Sequence, residues 1–343
     1  MKTRLVSLYL FVFACAIAGN GFAAGKDSDR NGSRSREIVV YAYDSFVAEW
    51  GPGPELARRF EARTGCSVSF VSCGDAAQVL SKAVLEKASP AADVLVGIDN
   101  NLVDVARRAA VIEPYKSPLA DSAVSGDLRL ADDWLLTPYD WGSFAIIYDT
   151  ASKVAPPESL EDLAKPEYAK RIILMDPRTS TPGTGFLAWT MARYGKDYPE
   201  YWKRIKGNIL TLAPSWDAGY GLFVAGEAPL VVSYTTSPAY HLEAEKSTRY
   251  RALVFAEGHP RQIEGLGLVR GARNPRDAKA FIDFMLTDEA QSVLPLTQWM
   301  YPVSASVKLP ESFKAAPAVP TARAVPPSEV SRAIDTVIAI VSR

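Results

Sequence analysis

Short apolar runs alternate with amphipathic runs along most of this chain, and that alternation restricts it to an α/β fold on a largely parallel sheet. The first run, Ile38-Val39-Val40-Tyr41-Ala42-Tyr43, has the composition of a buried central strand. An aromatic loop, Asp44-Ser45-Phe46, leads to Trp50-Gly51-Pro52-Gly53-Pro54, whose prolines suit the start of a helix over Glu55–Arg63 with Leu56 and Phe60 on one face. Val68–Val71 is a second strand. Asp75 then stands at an N-cap position before Val79, Leu80, Ala83 and Val84. Asp93–Ile98 is a third strand, ending at Asp99-Asn100-Asn101 ahead of another helix. In such sheets ligands lie beyond the carboxyl ends of the strands, which puts Tyr43, Asp75 and Asp99 on the rim. Helix capping alone would also account for Asp75 and Asp99.

The second half repeats the pattern. Ile172–Met175 reads as a buried strand and Phe186–Tyr194 as a helix, with Asp176–Gly185 as a hydroxyl- and glycine-rich loop between them. Free N–H groups and the positive end of the helix dipole make such a loop suitable for an anion, with Ser180 and Thr181 as donors. Turn formation by Pro177, Pro182 and the glycines is the alternative reading. Thr137–Tyr148 reads as an extended crossing into this second domain, and Tyr250–Phe255 as the crossing back. Between them come a helix over Tyr198–Lys206, the aromatic segment Ser215–Phe223 and a strand over Leu230–Ser233. Ser237 and Pro238 then read as N-cap and N1 of a further helix. Residues 265–270 and a helix over Pro275–Leu286 complete the first domain, and a last helix spans Ser328–Val341. The expected division is a signal peptide at 1–24, a flexible segment at 25–36, domain 1 at 37–142 and 256–343, and domain 2 at 143–255.

The signal reading rests on Lys2 and Arg4 before the apolar run Leu5–Ala18, then small residues around Ala23. Cleavage after Ala23 would take the net charge from -1 to -3, through loss of Lys2 and Arg4. Val12-Phe13-Ala14-Cys15 is a loose lipobox, so a lipid anchor at Cys15 is a second route to the same compartment. A near-neutral chain gives no sign of a nucleic-acid partner. Cys66 and Cys73 flank a single expected strand, so their Cα atoms stand about 20 Å apart. A disulfide needs less than about 7 Å, and two free thiols are expected.

No Walker loop, His-Glu-x-x-His, Cys-x-x-Cys or Gly-x-Ser-x-Gly is present, and His241 and His259 have no metal-ligand spacing. The sequence therefore reads as a binder rather than an enzyme, with no cofactor. Tyr43, Trp50, Trp216, Tyr234, Tyr240, Trp299 and Tyr301 instead fall at expected strand ends or in turns, where they outline a pocket for a flat cationic ring.

Five stretches carry a resemblance. They are Tyr41–Phe46 through Trp50–Pro54, then Gly97–Asn101, Asp176–Gly183, Ser233–His241 and Trp299–Pro302, in order along the chain. There the sequence resembles the periplasmic thiamine-binding proteins of ABC importers. The resemblance implies an α/β, two-lobed periplasmic binding protein of type II topology with a discontinuous N-terminal domain. It also implies capture of thiamine, thiamine monophosphate or thiamine pyrophosphate in the interdomain cleft, for delivery to an inner-membrane ABC permease and its ATPase by a periplasmic monomer. Carried to matching positions, Tyr43 stacks on the ligand and Asp75 takes the aminopyrimidine edge. Ser180, Thr181, Trp216 and Tyr234 meet the phosphate or hydroxyethyl end, and Tyr240 and Trp299 close around the rings; Trp50 and Asp99 are carried over with no contact assigned. The sequence around Asp75 and the last forty residues depart from the family pattern. Two alternatives share the fold: a ferric-iron binder using Tyr234 and Tyr240 as phenolate ligands, and an exported thiamine-acting enzyme using Cys66 or Cys73.

Overall fold

The computed structural model describes residues 36–342, so the expected signal peptide and Cys15 lie outside the described residues. Of the expected flexible segment only Arg36 is described, and it opens the first strand with its guanidinium paired to Asp277.

Strands β1 (Arg36–Ala42), β2 (Cys66–Ser72) and β3 (Val94–Asp99) run parallel, with β1 between the other two. The helices between them begin where their caps dictate. Helix α1 (Pro52–Thr64) starts three residues before the expected Glu55, because Gly51 caps it and the prolines fill first-turn positions that need no N–H donor. Gly65, at φ 68°, ends it. Helix α2 (Ala76–Leu85) is opened by a reciprocal capping box: Ala76 N–H donates to Asp75 Oδ1 (2.7 Å) and Asp75 N–H to Gln78 Oε1 (2.7 Å). Its buried face is Ala76, Val79, Leu80 and Ala83; Val84, expected on that face, is turned to solvent one residue on. Helix α3 (Val103–Ala109) follows β3.

The long strand β4 (Thr137–Asp149) is the expected crossing. Beyond it lie the parallel strands β5 (Ile172–Met175), β6 (Ile209–Ala213) and β7 (Leu230–Tyr234), with β5 in the middle. Helix α4 (Thr181–Tyr194) starts five residues before Phe186, so the loop after β5 is only Asp176–Ser180 and Ser180 is the N-cap. Helices α5 (Tyr198–Ile205), α6 (Trp216–Val224) and α7 (Ser237–Ala244) complete this half. The cap of α7 is Thr236 rather than Ser237, which moves Pro238 to the second helical position.

The expected return at Tyr250–Phe255 is corrected. Tyr250–Ala252 pairs antiparallel with the far end of β4 and stays in the second half. Past Gly258 (φ 90°) and Pro260, β8 (Arg261–Val269) makes the crossing, pairing antiparallel with β4 from Arg261–Ser143 to Leu266–Thr137. The strand order β2-β1-β3-β8-β4-β7-β5-β6 gives a mixed sheet whose parallel halves are joined through two antiparallel crossing strands. This is the two-lobed, type II arrangement.

Each half has its own apolar core. One is built on Ile38, Val40, Val94, Val96, Leu266 and Phe281, from two separated stretches of chain, with α8 (Pro275–Met285) supplying the last. The other is built on Phe144, Ile146, Leu174, Phe186, Trp189, Trp202 and Val231. The C-terminal helix α9 (Pro327–Val341), allotted from sequence to domain 1, places Val330, Ala333 and Val337 in this second core. Cys66 and Cys73 sit at the two ends of an unbroken β2 as free thiols.

Candidate functional site

The carboxyl ends of the parallel strands converge on one cavity of about 610 Å³. Tyr43 follows β1, Asp75 follows β2, Trp216 follows β6 and Tyr234 ends β7. Of the ten expected site residues, eight line the cavity: Tyr43, Trp50, Asp75, Thr181, Trp216, Tyr234, Tyr240 and Trp299. Trp50 is half exposed, at the mouth. Trp216 is the first residue of α6 and Thr181 the first of α4, not loop residues, because Ser215 and Ser180 already occupy the cap positions. Tyr301 is drawn off to stack on Trp141, with ring centroids 4.7 Å apart.

Asp99 and Ser180 lie behind the wall. Thr181 Oγ1 donates to Asp99 Oδ2 (2.7 Å), and Asn101 N–H donates to Asp99 Oδ1 (2.6 Å). Thr181 thus spends its hydroxyl on an acid from the other half of the fold rather than holding it out for an anion. Ser180 Oγ is buried and makes no hydrogen bond; the Ser180 hydroxyl and the N–H groups of Thr181 and Trp216 face the Asp75 carboxylate. The anion subsite expected at this helix start is therefore already presented with a carboxylate. Burial still outweighs these donors and raises the Asp75 pKa.

Burial pushes the Asp99 pKa up to about 6, against the pull of Thr181 and Asn101. A carboxyl raised in the fold favours the native state at low pH, and that contribution is lost as pH rises from the unfolded value near 4 through about 6. Asp99→Asn keeps an acceptor for Asn101 and a polar partner for Thr181 without the charge. It is expected to stabilise the protein at pH 8 relative to pH 5 by about 1.4 kcal/mol. Melting curves of both proteins at the two pH values check this; a pH-independent difference would contradict it.

Among the wall residues that sequence reasoning missed, four bear most on the chemistry: Tyr220, Glu245, Glu264 and Gln298. Tyr220 stacks on Trp216 (5.0 Å, 19°), one helical turn on, and its hydroxyl meets His241 Nε2 (2.9 Å), whose Nδ1 meets Glu245 (2.8 Å). The Trp216–Tyr220 spacing was the available signal. Glu264 and Gln298 come from β8 and from the turn before Trp299; Glu245 follows α7. Gln262 and Glu264, two polar residues at alternate positions of a buried strand, were the sign of a floor rather than a core. Glu264 accepts from Tyr43 OH (2.7 Å), from Tyr139 OH and from Gln262 Nε2. Tyr234 OH donates to Gln262 Oε1 (2.6 Å), and Tyr240 meets Trp299 edge-on with centroids 5.4 Å apart.

The cavity is acidic, where the sequence had suggested neutral aromatics with anion donors opposite. Asp44, Asp75, Asp217, Glu245 and Glu264 line it, with no lysine, arginine or histidine among the described residues. Nor does the wall offer the alternatives their chemistry. Tyr234 is committed to Gln262, and among the described residues no group of His, Cys, Asp and Glu is arranged to hold a metal ion. Neither Cys66 nor Cys73 lines the cavity, and burial raises both thiols, which disfavours a thiolate.

A two-lobed type II fold with its ligand-sized cavity at the strand ends, between two cores, defines a solute-binding protein. The chain belongs to the bacterial extracellular solute-binding proteins, whose family model matches residues 55–321. Its relatives include a thiamine-binding periplasmic protein of Brucella melitensis, 40% identical over 331 residues that span 96% of this chain and 95% of that one. Another, from Escherichia coli, is 40% identical over 86% of this chain and 89% of its own length. A solved periplasmic thiamin-binding protein superposes with a TM-score of 0.82 at 37% identity, covering 91% of this chain and 98% of that one. Among the described residues no helix is long and apolar enough to cross a membrane.

Proposed function

We propose that this protein captures thiamine, with its phosphate esters as further ligands, in the cavity between the two cores. It then delivers the ligand to an inner-membrane ABC permease and its ATPase as a periplasmic monomer without catalysis of its own. The observation that carries the ligand is the wall itself: six aromatic residues among the expected contacts, acids around them and, among the described residues, no basic side chain. Thiamine joins two flat rings, one a permanently charged thiazolium, and aromatic faces with carboxylates suit that ligand. The thiamine-binding relatives supply the same ligand independently.

The acids also order the ligands. A phosphate brought to the start of α4 meets the Asp75 carboxylate, so free thiamine is expected to bind more tightly than the pyrophosphate. Asp75→Asn should narrow that gap by about tenfold, the size of one like-charge contact near a protein surface. Isothermal titration of thiamine, its monophosphate and its pyrophosphate into both proteins tests this. Absence of binding by all three would overturn the proposed function; an unchanged ratio would remove Asp75 from the phosphate end.

A further inference from the structure

Two acids that the aromatic reading does not use sit at the cavity floor and behind it: Glu264 lines the cavity and Asp140 does not. Glu264 on β8 and Asp140 on β4 are directly opposed cross-strand partners, so their side chains share one face of the sheet. Asp140 is fully buried, and neither of its carboxyl oxygens has a hydrogen-bond partner. Glu264 lines the cavity and collects three donors, from Tyr43, Tyr139 and Gln262. An orphaned buried carboxyl favours the neutral form, whereas one holding three donors favours the anion. The pair therefore keeps its negative charge on the member that faces the ligand.

We propose that Glu264, with a protonated Asp140 behind it, is the anionic seat for the positively charged ring of the ligand and selects a cation over a neutral molecule of the same shape. This rests on the thiamine reading and goes further, since no resemblance assigned a role to either acid. Three features of the site support it. Tyr43, which is held at the cavity by Glu264, presents its ring beside the same seat, so the aromatic and ionic contacts are built as one unit. Tyr43 OH also takes a hydrogen bond from Gln298 Nε2, next to Trp299, so the seat is tied to the closing aromatic residue. The groups facing Glu264 are acids and phenols: Asp75, Asp99, Asp140, Tyr43 and Tyr139, with Tyr234 joined through Gln262. Among the described residues no cation pairs with it, which leaves that position to the ligand.

A consequence follows for pH. Burial and the neighbouring acids raise Glu264 to about 7, so the empty seat loses its charge on mild acidification. Thiamine should bind progressively more weakly as pH falls from 8 to 5.

The test compares thiamine with its thiophene analogue, in which carbon replaces the charged ring nitrogen. The analogue keeps the aminopyrimidine, so titration of that ring cancels in the ratio. Wild-type protein at pH 8 should prefer thiamine, and Glu264→Gln should cut the preference by at least about tenfold while leaving the analogue's affinity nearly unchanged. Glutamine still accepts from Tyr43 and Tyr139, and a melting curve verifies the fold. Because Asp140 is already neutral, Asp140→Asn should leave the pH midpoint of thiamine binding at the wild-type value, and a midpoint moved to lower pH would show a charged Asp140 and overturn the pairing; this readout and the wild-type profile stand even if Glu264→Gln fails to fold. A wild-type preference that is independent of pH, or a Glu264→Gln protein with the wild-type ratio, would overturn the seat while leaving thiamine binding intact. Failure of wild-type protein to bind thiamine would overturn both.

Discussion

Gly97→Ala should lower the melting temperature by roughly 10 °C and weaken thiamine binding with it. Gly97 lies inside β3 at φ 94°, a conformation that side chains other than glycine rarely adopt. A Cβ there would stand 2.3 Å from Tyr43 Cδ1 and 2.4 Å from Cε1. The Tyr43 ring has little freedom to move aside, because its hydroxyl is held by Glu264 and Gln298. Backbone strain and overpacking cost of order 1–3 kcal/mol each, and a domain of this size loses about 2–4 °C per kcal/mol. Because Tyr43 is both the obstruction and a wall residue, stability and affinity should fall together. Thermal melts with and without thiamine measure both, and a variant with the wild-type melting temperature would show that the ring yields freely.

Trp299→Ala should behave differently, losing affinity without losing the fold. Trp299 is only partly buried, lines the cavity, and sits edge-on to Tyr240. Its φ of 58° holds it in the left-handed region just after the turn Leu294–Thr297, which aims the indole at the cavity rather than at a core. Removing it takes away stacking area and cation–π attraction, an expected loss of about 2 kcal/mol or roughly 30-fold in Kd. Trp299→Phe should recover part of it. The empty variant should melt near the wild-type temperature. A sharp drop in the melting temperature, or an unchanged thiamine Kd, would place Trp299 outside the site.

These two residues also mark how far the sequence could be read. The positions of most parallel strands along the chain were legible because each is a short strand-like run followed by a cap or turn, as at Ser72–Asp75 and Asp176–Ser180. The wall was legible for the same reason, since a residue just beyond a parallel strand faces the rim whatever packs around it. What failed was anything decided across the cleft. Thr181 reads as an anion donor until Asp99, eighty-two residues away, takes its hydroxyl. The return crossing was placed at Tyr250–Phe255; only strand pairing shows that this run stays beside β4 and that Gln262 and Glu264 cross instead. The charge of the site was lost with it, as Glu264 and Asp140 sit in largely buried strands and become a pair only through register.

A cationic ligand held between the two cores is tested most directly by a crystal structure of the protein with thiamine. It should show the ligand's rings between Tyr43, Trp216, Tyr240 and Trp299, with the thiazolium over Glu264 and the hydroxyethyl arm toward Asp75 and the start of α4. A thiamine bound elsewhere, or one in this cavity with its charged ring turned away from Glu264 and the acids, would contradict it.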